Sequence, residues 1–135
     1  GLTFEVLHGS FMDFEFADLD LVTALYTLQF MHPAVRYDAV RKISTSLKKG
    51  GALILFEKIK ADSSLFNEIF LEQYSDFKSR NGFSEEEKVN KARSLRGVMR
   101  PFTESENYKM LKEGGFQDVC RISRWFCFEG YLAVK

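Results

Sequence analysis

Residues 52–56, Ala-Leu-Ile-Leu-Phe, are apolar at every position, and they follow Leu47-Lys-Lys-Gly-Gly51. A run with no polar side for solvent predicts a strand buried on both faces, in the middle of a parallel sheet with helices on either side. Lys48 and Lys49 suit the negative end of a helix dipole and Gly50 can take a positive φ. The same stretch therefore predicts a helix stopping at Gly50, just before the strand. Glu57 and Lys58 come next, delivered to the carboxyl edge of the sheet, where open α/β folds bind ligands.

Around this centre the pattern alternates between period two and helical spacing. Residues 3–8 (Thr-Phe-Glu-Val-Leu-His) read as a strand closed by Gly9-Ser10, and residues 19–26 as a second, mostly buried one leaving through Thr27-Leu-Gln-Phe30. Pro33 suits the first turn of a helix whose buried stripe is Val40, Ile43 and Leu47. Asp62 is placed to cap the next helix, which carries Phe66, Phe70, Tyr74 and Phe77 on one face. That stripe fits either core packing or a helix that lids a pocket or meets a partner subunit. Asn81-Gly82 ends it, and Ser84 with Glu87 predicts a capping box for a further helix. Arg93, Arg96 and Arg100 fall on one face there, as a solvated row or an anion site. Pro101 ends this helix, and Thr103 with Glu106 caps another that stops at Gly114-Gly115. Residues 116–122 and 125–134 read as an antiparallel closing pair with a candidate bulge at Glu129-Gly130. The fold class is α/β, a sheet with an antiparallel edge.

Composition narrows the function. The 135 residues suit one domain, and 45% hydrophobic content with 14 phenylalanines excludes disorder and predicts an aromatic core. Nineteen basic and 19 acidic residues cancel, which gives no broad surface for nucleic acid or an anionic membrane. The expected ligand is small. Cys120 and Cys127 match no zinc pattern and are expected to be buried thiols in a reducing compartment; no apolar run reaches membrane-span length, and the expected location is cytoplasmic. Gly1 enters a strand-like pattern with no lead-in, so the natural chain is expected to begin earlier. His8 and His32 read as structural, and the acids Asp13, Glu15, Asp18 and Asp20 as a solvated loop rather than a metal site. Glu57 is open between pairing with Lys58 or a neighbour and lining a pocket.

Three segments occur together in a meaningful order: Tyr26-Thr-Leu-Gln-Phe30, Leu47-Lys-Lys-Gly-Gly-Ala-Leu-Ile-Leu-Phe-Glu-Lys58 and Leu111-Lys-Glu-Gly-Gly-Phe-Gln-Asp-Val119. In this the chain resembles class I S-adenosylmethionine-dependent methyltransferases, from about residue 5 to the end. Within that superfamily, residues 27–30, residues 76–84 and the closing Cys127-Phe-Glu-Gly-Tyr-Leu-Ala-Val-Lys135 look like the carboxy-S-adenosylmethionine synthases. The resemblance implies a Rossmann-like sheet with an antiparallel closing strand pair, lacking the first two strands and the glycine-rich loop. It makes residues 1–135 the carboxyl-terminal part of a methyltransferase-like domain, with residues 61–100 a helical insertion after the central strand.

The same resemblance implies S-adenosylmethionine as cofactor and a small prephenate-like co-substrate whose carboxyl group moves to the sulfonium methyl. The product serves a separate tRNA-modifying enzyme, so no direct nucleic-acid contact, membrane or metal is implied. The family's cofactor contacts fall on Ser10 and Phe11, where it has an aspartate and an apolar residue, and on Leu25, where it has an asparagine, beside Tyr26. Its carboxylate-holding arginine falls on Ala92 by gapless counting, and Arg93, next along, is the expected catalytic residue. Phe11, residues 27–30, Glu57 and Arg93 are expected around the small-molecule site. The two strands absent here would lie between residues 3–8 and residues 19–26, and the ten-residue link at 9–18 is short for a parallel crossover. An open sheet of this kind predicts a homodimer. Two other readings stay open: a small-molecule methyltransferase, which Leu25 and Ala92 favour, and a non-catalytic chain that associates through the aromatic helix.

Overall fold

A computed structural model describes all residues, Gly1–Lys135. Its elements are β1 (Leu19–Leu25), α1 (Pro33–Ser46), β2 (Leu47–Lys58), α2 (Ser64–Arg80), α3 (Glu85–Ser94), α4 (Glu104–Glu113), β3 (Asp118–Trp125) and β4 (Phe128–Val134). They form one sheet in the order β1-β2-β4-β3. Residues 52–56 are interior, as the apolar run requires. Leu21 to Leu25 run parallel to Ala52 to Phe56, and on the other side Ala52 to Lys58 pair antiparallel with Val134 to Phe128. The central strand thus has one parallel and one antiparallel neighbour, a mixed sheet rather than a parallel one.

The core lies on one side of this sheet. Leu53, Leu55, Tyr131 and Ala133 share a face with Ala24 and meet Val40 and Ile43 of α1 and Met110 and Leu111 of α4. Each fully buried leucine there contributes roughly 1.5–3 kcal/mol. The opposite face is not covered by helices as the sequence predicted: Leu21 is 51% exposed, Leu25 54% and Ile122 49%. α2 buries none of its residues, so its aromatic stripe is not core. Instead Tyr74 and Phe77 reach the turn between β3 and β4, against Trp125 and Phe128.

Several local expectations are corrected. Residues 3–8 form no strand: they stand exposed and pair with no strand of the sheet. α1 ends at Ser46, and Leu47 caps it in an extended conformation, buried and paired with Leu19 as the first residue of β2. Lys48 and Lys49 therefore belong to the strand. The positive φ of Gly50, 79°, serves an irregularity in β2, where the step from Leu47 to Ala52 faces only Leu19 to Leu21. Ser63, not Asp62, precedes α2, and Asp62 accepts a hydrogen bond from the Ser105 hydroxyl at 2.9 Å. α3 stops at Ser94, so Arg96 and Arg100 lie beyond it and no three-arginine helix face exists. Cys127 is buried but Cys120 is exposed.

Other expectations hold. Both capping boxes form, Ser84 with Glu87 and Thr103 with Glu106. The closing pair is antiparallel, and its bulge lies one strand over from the expected place, with Ile122 of β3 the extra residue opposite Tyr131 and Gly130. No helix is long and apolar enough to cross a membrane.

Candidate functional site

At the carboxyl end of β1, Tyr26 takes a left-handed φ of 57° and its amide donates to the Phe56 carbonyl at 2.7 Å. The chain then bends through one 3-10 turn, Leu28–Phe30. Buried polar groups hold this turn from the core side. The Leu28 amide donates to Glu57 Oε1 at 3.0 Å, and the Lys58 amide donates to Gln29 Oε1 at 2.6 Å. Arg36 donates through Nε to the Met31 carbonyl at 3.0 Å and through Nη2 to the Gln29 carbonyl at 2.9 Å, with its guanidinium 4.4 Å over the Phe102 ring.

Glu57, Gln29 and Arg36 are all buried, so each needs the partners it has found. Burial pushes the Glu57 carboxyl up to about 7, against the opposing pull of the Gln29 and Leu28 amides and the Arg36 charge. Burial likewise lowers the Arg36 pKa, with Glu57 acting in the other direction. Glu57 thus does not pair with Lys58, and it is buried on the core side of the turn. It braces the turn, and near neutrality it is divided between two protonation states.

The opposite side of the same strand ends carries a cavity of about 240 Å³ walled by Tyr26, Phe56, Tyr74, Phe77, Trp125 and Phe128. The rings meet edge to face: Phe77 on Trp125 at 4.7 Å, Tyr74 on Phe128 at 5.0 Å and Tyr26 on Phe128 at 5.7 Å. The far end of the Phe56 ring occupies the space that a side chain at Gly130 would need; a Cβ there would fall 2.5 Å from Phe56 Cζ. Lys58 and Lys78 place their ammonium groups 5.3 and 4.6 Å from the Tyr74 ring centroid.

Of the residues singled out from sequence, Leu25 and Tyr26 stand at the strand exit, both exposed, with Tyr26 part of the cavity wall. Ser10 and Phe11 lie on the separate loop leading into β1. The Ser10 hydroxyl accepts from the Met12 amide at 3.2 Å, capping the turn Phe11–Asp13, and Phe11 packs on the core and stacks on Phe16 at 5.8 Å. Lys42 fixes that loop to α1 by donating to the Met12 carbonyl at 2.9 Å. Arg93 sits exposed in the last turn of α3.

The sequence reading missed Arg36, Trp125 and Phe128, and it named Gln29 only as part of the segment 27–30, without its bond to the Lys58 amide. It also missed a buried acid, Glu129, which takes the Arg124 guanidinium at 2.9 Å and the Tyr131 hydroxyl. Its signal was parity: Glu129 falls in phase with Tyr131 and Ala133, which face the core.

This arrangement, an aromatic cavity and a braced turn at the carboxyl ends of two parallel strands, is where α/β enzymes place small ligands. No protein-family model matches the chain. Among curated proteins it is 36% identical over 131 residues to the carboxy-S-adenosyl-L-methionine synthase of Staphylococcus epidermidis, covering 97% of the chain and 58% of that protein. The chain is similar to these synthases along nearly its whole length. The Sulfurimonas denitrificans synthase is 37% identical over 97% of the chain and 56% of its own length. For the Methylococcus capsulatus synthase the figures are 42%, 85% and 48%. The chain thus spans about half to three fifths of the length of the curated relatives it matches.

Solved structures agree on the fold. Human N-acetylserotonin methyltransferase in complex with SAM superposes with a TM-score of 0.62 at 15% identity, over 96% of this chain and 33% of that one. An O-methyltransferase family 2 protein from Planctomyces limnophilus, in complex with apigenin, gives 0.64 at 15% identity, over 94% and 33%. The fold is part of the Rossmann-like methyltransferase fold.

Proposed function

We propose that this chain is the carboxyl-terminal part of a methyltransferase-like domain, with residues 61–100 a helical insertion, in a carboxy-S-adenosylmethionine synthase. The similarity to synthases of that name over 97% of the chain carries the reading. S-adenosylmethionine would be held at the exit of β1, with Leu25 and Tyr26 against its adenine and sulfonium end and Ser10 and Phe11 contributing from the neighbouring loop. Two exposed side chains fit that part of the cofactor: an apolar one, Leu25, for the adenine face, and an aromatic one, Tyr26, for a sulfonium cation. When bound, the cofactor supplies the activated methyl to which a carboxyl group is transferred, with prephenate as the carboxyl donor.

The residues of this chain bind and orient. Glu57, Gln29 and Arg36 fix residues 27–30, so that Tyr26 is presented at one angle. The rings of α2 and of the β3–β4 turn supply an apolar wall beside that strand exit. Arg93 is the candidate partner for the carboxylate, as a planar fork suited to bidentate pairing. The product would pass to a tRNA-modifying enzyme in the cytoplasm, and the working unit is a homodimer formed to cover the open sheet.

Mass spectrometry of nucleosides released from the purified protein tests the reading. Carboxylated S-adenosylmethionine supports the synthase; S-adenosylmethionine or its demethylated product alone supports a second reading, a small-molecule methyltransferase. The apolar Leu25 at the family's asparagine position favours that second reading. For the 135-residue chain on its own, calorimetric titration is expected to show weak or no cofactor binding and no turnover, and micromolar affinity would overturn that part. Light scattering is expected to give a dimer or larger, and a clean monomer would overturn the assembly.

A further inference from the structure

We propose that Arg121 and Arg124 form a binding site for a tetrahedral oxyanion, a phosphate or a phosphate monoester, on the face of the β3–β4 pair that is turned toward α4.

The bulge in β3 brings the two arginines together. Residues three apart on a regular strand face opposite sides of the sheet. Because Ile122 is the extra residue, Arg121 stands opposite Tyr131 and Arg124 opposite Glu129, and both of those partners are buried with the core. Ser123, between them, pairs with Gly130 and lines the aromatic cavity on the other face, so the two sites are separate. The Arg121 amide donates to the Tyr108 hydroxyl at 3.0 Å, which ties the bulge to α4.

Two carboxylates hold both guanidiniums by the same nitrogen. Arg121 Nη1 lies 2.8 Å from Glu104 Oε2 and 3.4 Å from Glu129 Oε1, and Arg124 Nη1 lies 3.1 and 2.9 Å from the same two oxygens. The Arg124 guanidinium also sits 5.1 Å from the centroid of the Phe70 ring. The guanidiniums are thus fixed side by side. Nε and Nη2 of both, the edge that pairs with two oxygens at once, make no hydrogen bond, and 36% and 32% of the side chains are exposed.

Two such forks select the ligand. A carboxylate satisfies one fork with its two oxygens, whereas a phosphate has enough oxygens to meet both. Glu129 has no exposed side-chain surface and also takes the Tyr131 hydroxyl, so it keeps the arginines in place when a ligand arrives. Glu104 is 30% exposed and gives one oxygen to both arginines, the place that a ligand oxygen would take. A phosphate monoester near neutrality carries about −1.5 to −2 charges and outcompetes a single carboxylate there.

The test titrates inorganic phosphate into the 15N-labelled wild-type protein, with sodium chloride at matched ionic strength as the control, and follows the backbone amides by NMR. The expected result is a saturable shift of the amides of Glu104, Arg121 and Arg124 with a Kd of about 1 mM or tighter, and none with chloride. Binding is expected to weaken about tenfold in Arg121→Gln and in Arg124→Lys, which keeps the charge but loses the fork. Glu104→Gln removes the competing carboxylate and is expected to tighten binding about threefold. No saturable shift, an equal response to chloride, shifts that centre elsewhere, folded arginine variants that bind like the wild type, or a Glu104→Gln variant that binds no tighter would each overturn the proposal. The localisation of the shifts uses wild-type protein alone, so it stands even where a variant does not fold. Glycerol 3-phosphate titrated in parallel assigns the source: tighter binding than inorganic phosphate points to a phosphorylated small molecule, weaker binding to the free ion, and both support the site.

Discussion

Glu57 gives the site a measurable pH signature. Its carboxyl titrates at about 7 in the folded protein against an ordinary value of 4.5. The folded state therefore holds that proton more firmly than the unfolded chain does. Stability from this group is complete below about 4.5 and is lost as pH rises through 7, on the order of 3 kcal/mol in all. Urea unfolding at about pH 5 and pH 8 is expected to show that decline in the wild-type protein and a much flatter profile in Glu57→Gln; an identical decline in both would refute it. Gly130→Ala is expected to destabilise by about 1–3 kcal/mol and to push Phe56 into the cavity, because the new methyl falls 2.5 Å from that ring. Denaturation and the intrinsic fluorescence of Trp125, which lines the cavity, check the two effects. Glu57 was legible from sequence as an acid at a strand end. What it touches was not, because the Leu28 amide is 29 residues away and no local pattern announces it.

Elements were legible where a local rule decides them. Ser84 with Glu87 and Thr103 with Glu106 both form the reciprocal bonds that their spacing predicts. Thr103→Ala is expected to cost about 1 kcal/mol, read as a lowered urea midpoint with unchanged slope. Where a local rule met a tertiary demand, the tertiary demand won. Gly50 was a sound helix stop, yet α1 ends at Ser46 because Leu47 pairs with Leu19 and is buried there. Residues 3–8 alternate as well as many strands do, but alternation names only the faces of a strand and says nothing of a neighbour to bond with. The aromatic stripe of α2 was read correctly as a face and left open as to its use. Its use depends on Trp125 and Phe128, about fifty residues later in the chain.

At the scale of the molecule, the apolar run at residues 52–56 did locate the centre of the sheet, since its neighbours pair with it on both sides. It misled about cover: helices pack on one face, and β1 offers an unpaired outer edge. Hydrogen exchange is expected to follow this asymmetry, slowest for the amides of β2 and β4 and markedly faster for the outward amides of β1. Uniform protection across all strands would mean that something covers that edge in solution.

The last residue of β2 divides its labour by direction. Lys58 anchors the Gln29 carboxamide with its main-chain N–H, while its side chain departs toward the Tyr74 ring. Swapping the side chain therefore leaves the turn braced, since every residue but proline keeps that N–H. Chemists wishing to change the charge beside Tyr74 have at this position a handle they can exchange without unseating Gln29.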